Sequence, residues 1–451
     1  HGIGRRQRQM CIRDRAQVEL VTPTYEDVND LYNFLYSLHV FVGQNIDDNE
    51  MLWPFSMPPQ IEDESDINLG FYHQSNIGLL KHVYRKGLKV RYGPTMQCVS
   101  GMHYNFSINP DSLAFLTNSN HQVDIDEAYL GLIRNFKRLF WFVLLEFGQT
   151  NVVDKSFVNN REHKLEKLNS NDMYLLDATS LRMSDIGYQS KAQKDLNIKY
   201  NSLSGFLKKI KDAITVPYKD FEALGLLDSN DEYHQISNGI IQIENEYYDA
   251  IRPKRSSLNG LRPYNLLKEY GIEYLEVRGV DLLPDDITGT SVHHMQFLDI
   301  ILIYCLIDQS PKISDDEKEK IDLNDSKVIY KGRDKDTNID KNNRVVNINE
   351  ARNEIIDDLK LVASFFENSE SYIESIEYVI GSVKGKIPDN SFHSDGVKKA
   401  GENIKILRSN GSLNLDGIKK EAELSLNKLK EIPENTNEEM NEFVKNYNLK
   451  L

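Results

Sequence analysis

The chain has 451 residues, 40% of them apolar and 27% charged, which suits a large soluble core and excludes a disordered chain. A formal net charge of −15 excludes broad binding to nucleic acid, because a phosphate backbone needs a basic surface. Three cysteines (Cys11, Cys98, Cys305) without a C-x-x-C spacing give no zinc or disulfide framework and point to a reducing, cytoplasmic setting.

Residues 1–15 (HGIGRRQRQMCIRDR) are studded with arginine and show no structural period. They lack the apolar centre of a secretory leader and the amphipathic, serine-rich pattern of a mitochondrial one, so they are expected to be foreign to the native protein. From Ala16 the text changes to AQVELVTP, and alternation predicts a strand over Gln17–Thr22, stopped by Pro23.

Helical spacing follows over Tyr25–Gln44 and Ser75–Tyr92, where Lys81, Arg85 and Lys89 recur four apart. Alternation predicts a strand within Gln97–Ile108, with His103 and Asn105 on one face and Tyr104 and Phe106 on the other. A long helix is expected over Asp124–Phe147 and others over Ala192–Ala213 and Ser291–Leu306, with further strands at Ile236–Glu246 and Gly271–Val280. The apolar runs Leu139–Leu145 and Phe297–Ile307 fall short of the roughly 20 residues that span a bilayer, so no membrane partner is expected. Without regular βαβ alternation, the fold class is α+β with a mainly antiparallel sheet. A catalytic body is expected over 16–311, a polar surface excursion or linker over 312–349, and a helical C-terminal region over 350–451.

The signatures of phosphate loops, Rossmann folds, zincins and serine hydrolases are missing, and no nucleophile arrangement stands in for them. The chemistry-bearing signal is charge placed inside strand-like text. In GIEYLEVRGVDLLP, Tyr274, Glu276 and Arg278 share a face, and a metal-and-anion site or a structural salt bridge satisfies that pattern equally. In QIENEYYDAIRPKR, Gln242, Glu244, Glu246 and Tyr248 alternate before the basic turn of Arg252, Lys254 and Arg255. That stretch reads either as a cation-and-nucleotide site or as an exposed edge strand. His103 in GMHYNFSIN and Arg182 in ATSLRMSDIGY are weaker signals, each with a structural reading beside the functional one. A site rich in Glu, Arg and Tyr suits phosphoryl transfer better than hydrolysis.

Seven stretches, QVELVTP, LWPFSMP, SNIGLLKHVYRKGLKVRYG, SGMHYNFS, ATSLRMSDIGY, QIENEYYDAIRPKR and IEYLEVRGVDLLP, together resemble bacterial glutamate–cysteine ligase of the gamma-proteobacterial type, from Ala16 to about Pro311. The resemblance implies a glutamine-synthetase-like antiparallel sheet funnel with surrounding helices. It implies ligation of the L-glutamate γ-carboxylate to the L-cysteine amine at the expense of ATP, through γ-glutamyl phosphate, in a monomer using Mg²⁺ or Mn²⁺. By the same resemblance Glu19, Glu276 and His103 would bind metal, with His103 also near ATP. Arg278 and Arg182 would grip glutamate and the transferring phosphoryl group. Tyr84, Tyr188 and Tyr248 would wall the cysteine pocket, with Gln97 and Trp53 nearby, and Arg252 and Arg255 would face the nucleotide.

The family pattern also carries an upstream strand of form G-x-E-x-E-x-x-R and an acidic residue seven positions before Glu19, where this chain has Ile12. A ligase lacking its native first strands, and poorly active for that reason, is therefore expected. The competing readings are a non-catalytic relative that binds nucleotide or amino acid, and an amine ligase with a different acceptor.

Overall fold

Alternation in YLEVRGV makes one strand with an apolar and a polar face, and the rest of the fold is arranged around those two faces. The structure is a computed structural model that describes residues 17–451 apart from 160, 188–190, 259, 412–414 and 436. The described strands are β1 (Met102–Phe106), β2 (Val152–Asp154), β3 (Glu166–Lys167), β4 (Asp172–Tyr174), β5 (Ile251–Lys254), β6 (Tyr274–Val280), β7 (Asn338–Lys341) and β8 (Arg344–Asn347). They form antiparallel sheets of order β1-β6-β5 and β2-β4-β3, and a β7-β8 hairpin.

In the first sheet, Asn105 and Arg252 flank Glu276, while Tyr104 and Ile251 flank Val277. The row of Tyr104, Ile251, Leu275 and Val277 is buried in the main core cluster with the helix Gln122–Phe147. Each such side chain contributes roughly 1.5–3 kcal/mol by leaving water. Gly279 continues this face where nothing larger fits, since a Cβ there would lie 2.3 Å from the Phe140 ring. The second half of Gln122–Phe147 is buried nearly all round, which is why its text reads as an unbroken apolar run.

The helices Val28–Asn45, Asn76–Tyr92 and Val292–Ile307 start where Asp27, Ser75 and Ser291 accept the first free N–H groups, close to the predicted bounds. Among the described residues no helix is long and apolar enough to cross a membrane.

Four expectations are corrected. Residues 17–22 form no strand; Gln17 instead hangs its side chain on the Cys98 carbonyl and the Ser100 hydroxyl. Residues 236–246 form turns and a 3-10 helix, Glu244–Glu246, because each acid reaches inward to its own cation: Glu244 to Arg262 at 3.0 Å and Glu246 to Arg91 at 3.3 Å. The helix expected over Ala192–Ala213 breaks at Asn197 and Tyr200, both at positive φ, into Lys191–Lys194 and Leu203–Thr215. Within 312–349 a helix, Asp315–Lys331, buries Ile321, Val328 and Ile329, so this polar text is packed structure. Beyond it the region expected to be helical holds the helices Ile348–Ala363, Ser369–Gly381, Phe392–Ser409, Leu415–Lys430 and Asn437–Leu449. Residues 1–15 lie outside the described residues.

Candidate active site

The polar face of the first sheet gathers charge because β5 and β6 run antiparallel with Arg252 opposite Glu276. The Glu276 carboxylate accepts from Arg252 Nη2 at 2.6 Å and Nε at 3.1 Å, and from Arg278 Nη1 at 3.2 Å. Lys254 Nζ stands 3.8 Å from its other oxygen. Burial alone would raise the pKa of Glu276, but Lys254, Arg252, Arg278 and His103 hold it well below the usual carboxylate range. The group is a fixed anion inside a surplus of positive charge.

Each cation is itself held. Arg252 is buried and donates through Nη1 to the carbonyls of Asn245 and Tyr247 at 3.3 and 3.1 Å. The guanidinium of Arg278 lies 5.1 Å from the ring centre of Tyr248. Tyr248 donates its backbone N–H to the Gln193 side chain at 2.9 Å.

Arg182 reaches the site from behind. It is 1% exposed, pairs with Asp281 at 2.6 Å, and donates to the carbonyl of Arg278 at 3.2 Å. Asp281 also accepts from Thr150, Ser180 and the Gln149 N–H, so this carboxylate ties two segments, 149–150 and 180–182, to the end of β6. Gly101 makes room for the guanidinium, since a Cβ there would come within 2.6 Å of Arg182 Nη1.

The structure therefore brings together Glu276, Arg278, Arg252, Tyr248 and, through the Arg278 carbonyl, Arg182. His103, beside the bulge in β1, is exposed and adds its charge to the same face. The other expected residues are engaged elsewhere. Tyr84 packs with Leu80, Val83, Met440 and Val444. Gln97 is buried and donates to the Arg85 carbonyl at 3.4 Å. Trp53 donates to the Met57 carbonyl at 2.8 Å and packs against Phe392 in the cluster that Tyr248 borders. Arg255 donates to the carbonyls of Tyr270 and Gly271 beyond β5. Tyr188 lies outside the described residues.

The metal set is not assembled. Glu19 is exposed on a segment without secondary structure, and among the described residues no three His, Cys, Asp or Glu side chains form a metal-binding group. With three cations already around Glu276, the described residues do not fit Mg²⁺ or Mn²⁺ there.

The chain as a whole is similar to known proteins in sequence and in fold. The family model described as glutamate-cysteine ligase matches residues 14–328. The chain belongs to the glutamate–cysteine ligase family. It is 41% identical to the glutamate–cysteine ligase of Hahella chejuensis over 329 residues, which are 72% of this chain and 62% of that protein. It is 36% identical to that of Pseudomonas savastanoi pv. phaseolicola over 380 residues, 83% of this chain and 71% of the relative. The match to the Hahella protein thus spans less than two thirds of its length. Among solved structures, the glutamate–cysteine ligase of Francisella tularensis in complex with AMP aligns with a TM-score of 0.88 at 29% identity. That alignment covers 96% of this chain and 89% of that one.

Within this glutamate–cysteine ligase fold, Lys254 of the basic turn lies two positions after Arg252 on the same strand face, while two buried residues, Asp281 and Lys137, escape the sequence reading. Asp281 follows β6 directly, but nothing local shows that it faces Arg182. Lys137, buried in the long helix, carries no signal apart from interrupting an apolar run.

Proposed function

We propose that this chain joins the γ-carboxylate of L-glutamate to the amine of L-cysteine at the expense of ATP, the first step of glutathione synthesis. The observation that carries this reading is the likeness, over nearly the whole chain, to a ligase whose crystal structure holds AMP.

The chemistry needs two displacements. A γ-carboxylate oxygen attacks the γ-phosphorus of ATP, the bond to the β-phosphate oxygen breaks, and ADP leaves. The cysteine amine then attacks the acyl carbon, the C–O bond to phosphate breaks, and the amine loses its proton to solvent as the amide forms. Activation is required because a free carboxylate would have to expel oxide.

In this reading Arg278 and Lys254 meet the negative charge of carboxylate and phosphoryl group, and a guanidinium can bind either through two parallel hydrogen bonds. Glu276 fixes the angle of Arg278 and offsets the charge of buried Arg252. Arg182 holds the backbone of Arg278, and His103 and Arg255 belong to the nucleotide side. Tyr248 belongs to the acceptor side, the role that the family resemblance also gives to Tyr84, Tyr188, Gln97 and Trp53. The buried thiol of Cys305 suits a reducing, cytoplasmic setting.

The test is ADP release by the purified chain with ATP and each amino acid alone or together. Release that requires both glutamate and cysteine supports the reading. ADP release indifferent to cysteine, or equal with unrelated amines, overturns it.

A further inference from the structure

Behind the polar face, on the core side of the sheet, lies a buried network that the reaction does not touch. Lys137 meets Asp249 at 2.5 Å, and both side chains are almost entirely shielded. The other oxygen of Asp249 accepts from the hydroxyls of Tyr200 and Tyr247, each at 2.9 Å. Burial opposes the charge on both partners, yet their mutual attraction keeps Lys137 above and Asp249 below its ordinary pKa. An ion pair in such a place is weak evidence for stability, because apolar residues of similar volume often do as well. Its position suggests a different use.

Asp249 sits in a short connection between the 3-10 helix Glu244–Glu246 and β5, and its neighbours there all hold the site. The carbonyl of Tyr247 accepts from Arg252 at 3.1 Å. The ring of Tyr248 underlies the Arg278 guanidinium. The carbonyl of Ala250 accepts from the backbone N–H groups of Arg278 at 2.7 Å and Gly279 at 3.2 Å. One carboxylate on the core side therefore sets the conformation of the three residues that aim two arginines on the other side.

We infer that Asp249, held by Lys137, Tyr200 and Tyr247, is a positioning residue for Arg278. It acts by fixing the 247–250 connection on which that side chain rests. Its importance for ligation rests on the function proposed above; the positioning itself does not.

The experiment compares two charge-free double variants, Lys137→Met/Asp249→Leu and Lys137→Met/Asp249→Asn. The Leu pair keeps apolar volume but offers the tyrosines no acceptor, whereas the Asn pair keeps an oxygen for them. Melting temperature reports stability, and the rate at which phenylglyoxal modifies Arg278, read by peptide mass spectrometry, reports how firmly the arginine is held. Modification of Arg278 is expected to accelerate at least fivefold in the Leu pair and to stay within twofold of wild type in the Asn pair. Arg138 serves as the internal control.

If the Leu pair does not fold, Tyr200→Phe/Tyr247→Phe removes the same two hydrogen bonds with little change of volume and should give the same acceleration. An unchanged modification rate in folded protein overturns the inference, as does equal acceleration in the Leu and Asn pairs. Wild-type ADP release is measured alongside. Its absence counts against the proposed ligation, while the modification rates still decide the positioning role.

Discussion

Arg252 reaches across from the neighbouring strand to Glu276, Nη2 to Oε2 at 2.6 Å, and the pair is almost fully withdrawn from solvent. Charge at this depth is held by geometry, so removing one partner strands the other.

Glu276→Gln is therefore expected to destabilise the fold by about 3 kcal/mol, because Arg252 stays buried without its anion. Ligation should also fall, as Arg278 loses its anchor. The depressed pKa of Glu276 means that its contribution is present above the ordinary carboxylate pKa and is lost as pH falls through the folded value. Denaturant melts across the acid range should show a shallower loss of stability in the variant; parallel curves would contradict this.

Arg278→Lys keeps the charge but loses the paired donors and the flat surface that lies on Tyr248. Turnover should fall on the order of 10²–10³-fold with the melting temperature nearly unchanged. Wild-type kcat and glutamate KM in the variant would leave Arg278 as a salt-bridge partner only.

Tyr248 has two separable parts. Tyr248→Phe retains the ring under Arg278 and should mainly weaken the use of cysteine. Tyr248→Ala removes the ring, worth roughly 0.5–2 kcal/mol to the cation, and should weaken the use of glutamate as well. Identical kinetic profiles for the two variants would argue against this division.

Asp299 accepts from the Tyr104 hydroxyl at 2.8 Å, and burial pushes its carboxyl up to about 7. The folded protein holds that proton more tightly than the unfolded chain does. The stabilisation is therefore full below about pH 4 and is lost as pH rises through about 7. Asp299→Asn should change stability little near pH 4 and raise it by roughly 2–4 kcal/mol near pH 8. An equal shift at both pH values in denaturant melts would be the contrary result.

Gly279→Ala would drive a methyl group into Phe140, at 2.3 Å before relaxation, and is expected to cost about 1–3 kcal/mol. Thermal melts of the variant alone and combined with Phe140→Leu separate this clash from backbone effects, since the second change should restore stability.

What the sequence made legible followed from period. β6 is buried on one face only, so its alternation survived in the text and led to Glu276 and Arg278. Residues 236–246 alternate for another reason: Glu244 and Glu246 are buried by distant arginines, and partners that lie far along the chain leave no local pattern. The break at Asn197 and Tyr200 is a backbone choice imposed by tertiary contacts, with the Tyr200 hydroxyl drawn to Asp249. Asp315–Lys331 hid behind its composition, since a helix that buries one narrow stripe is mostly charged. Helical text with capping serines was read nearly to the residue, because Ser75 and Ser291 act within a single turn. The position of Arg182 behind Arg278 depends on Asp281, and no spacing rule joins those two.

The helix Asn76–Tyr92 lays Leu80, Val83 and Leu88 against Met440 and Val444, while Arg262 and the carbonyl of Ile236 are tied to Tyr447 and Asn448. A ribosome making this chain exposes that apolar face long before residues 440–448 emerge to cover it. At elongation speeds of about 5–20 residues per second the delay is on the order of tens of seconds, ample time for a nascent chain to stick to another. Chaperone capture during synthesis should accordingly fall on the 76–92 segment, and yield in cells should depend on the last turns of Asn437–Leu449 more than its distance from Glu276 would suggest.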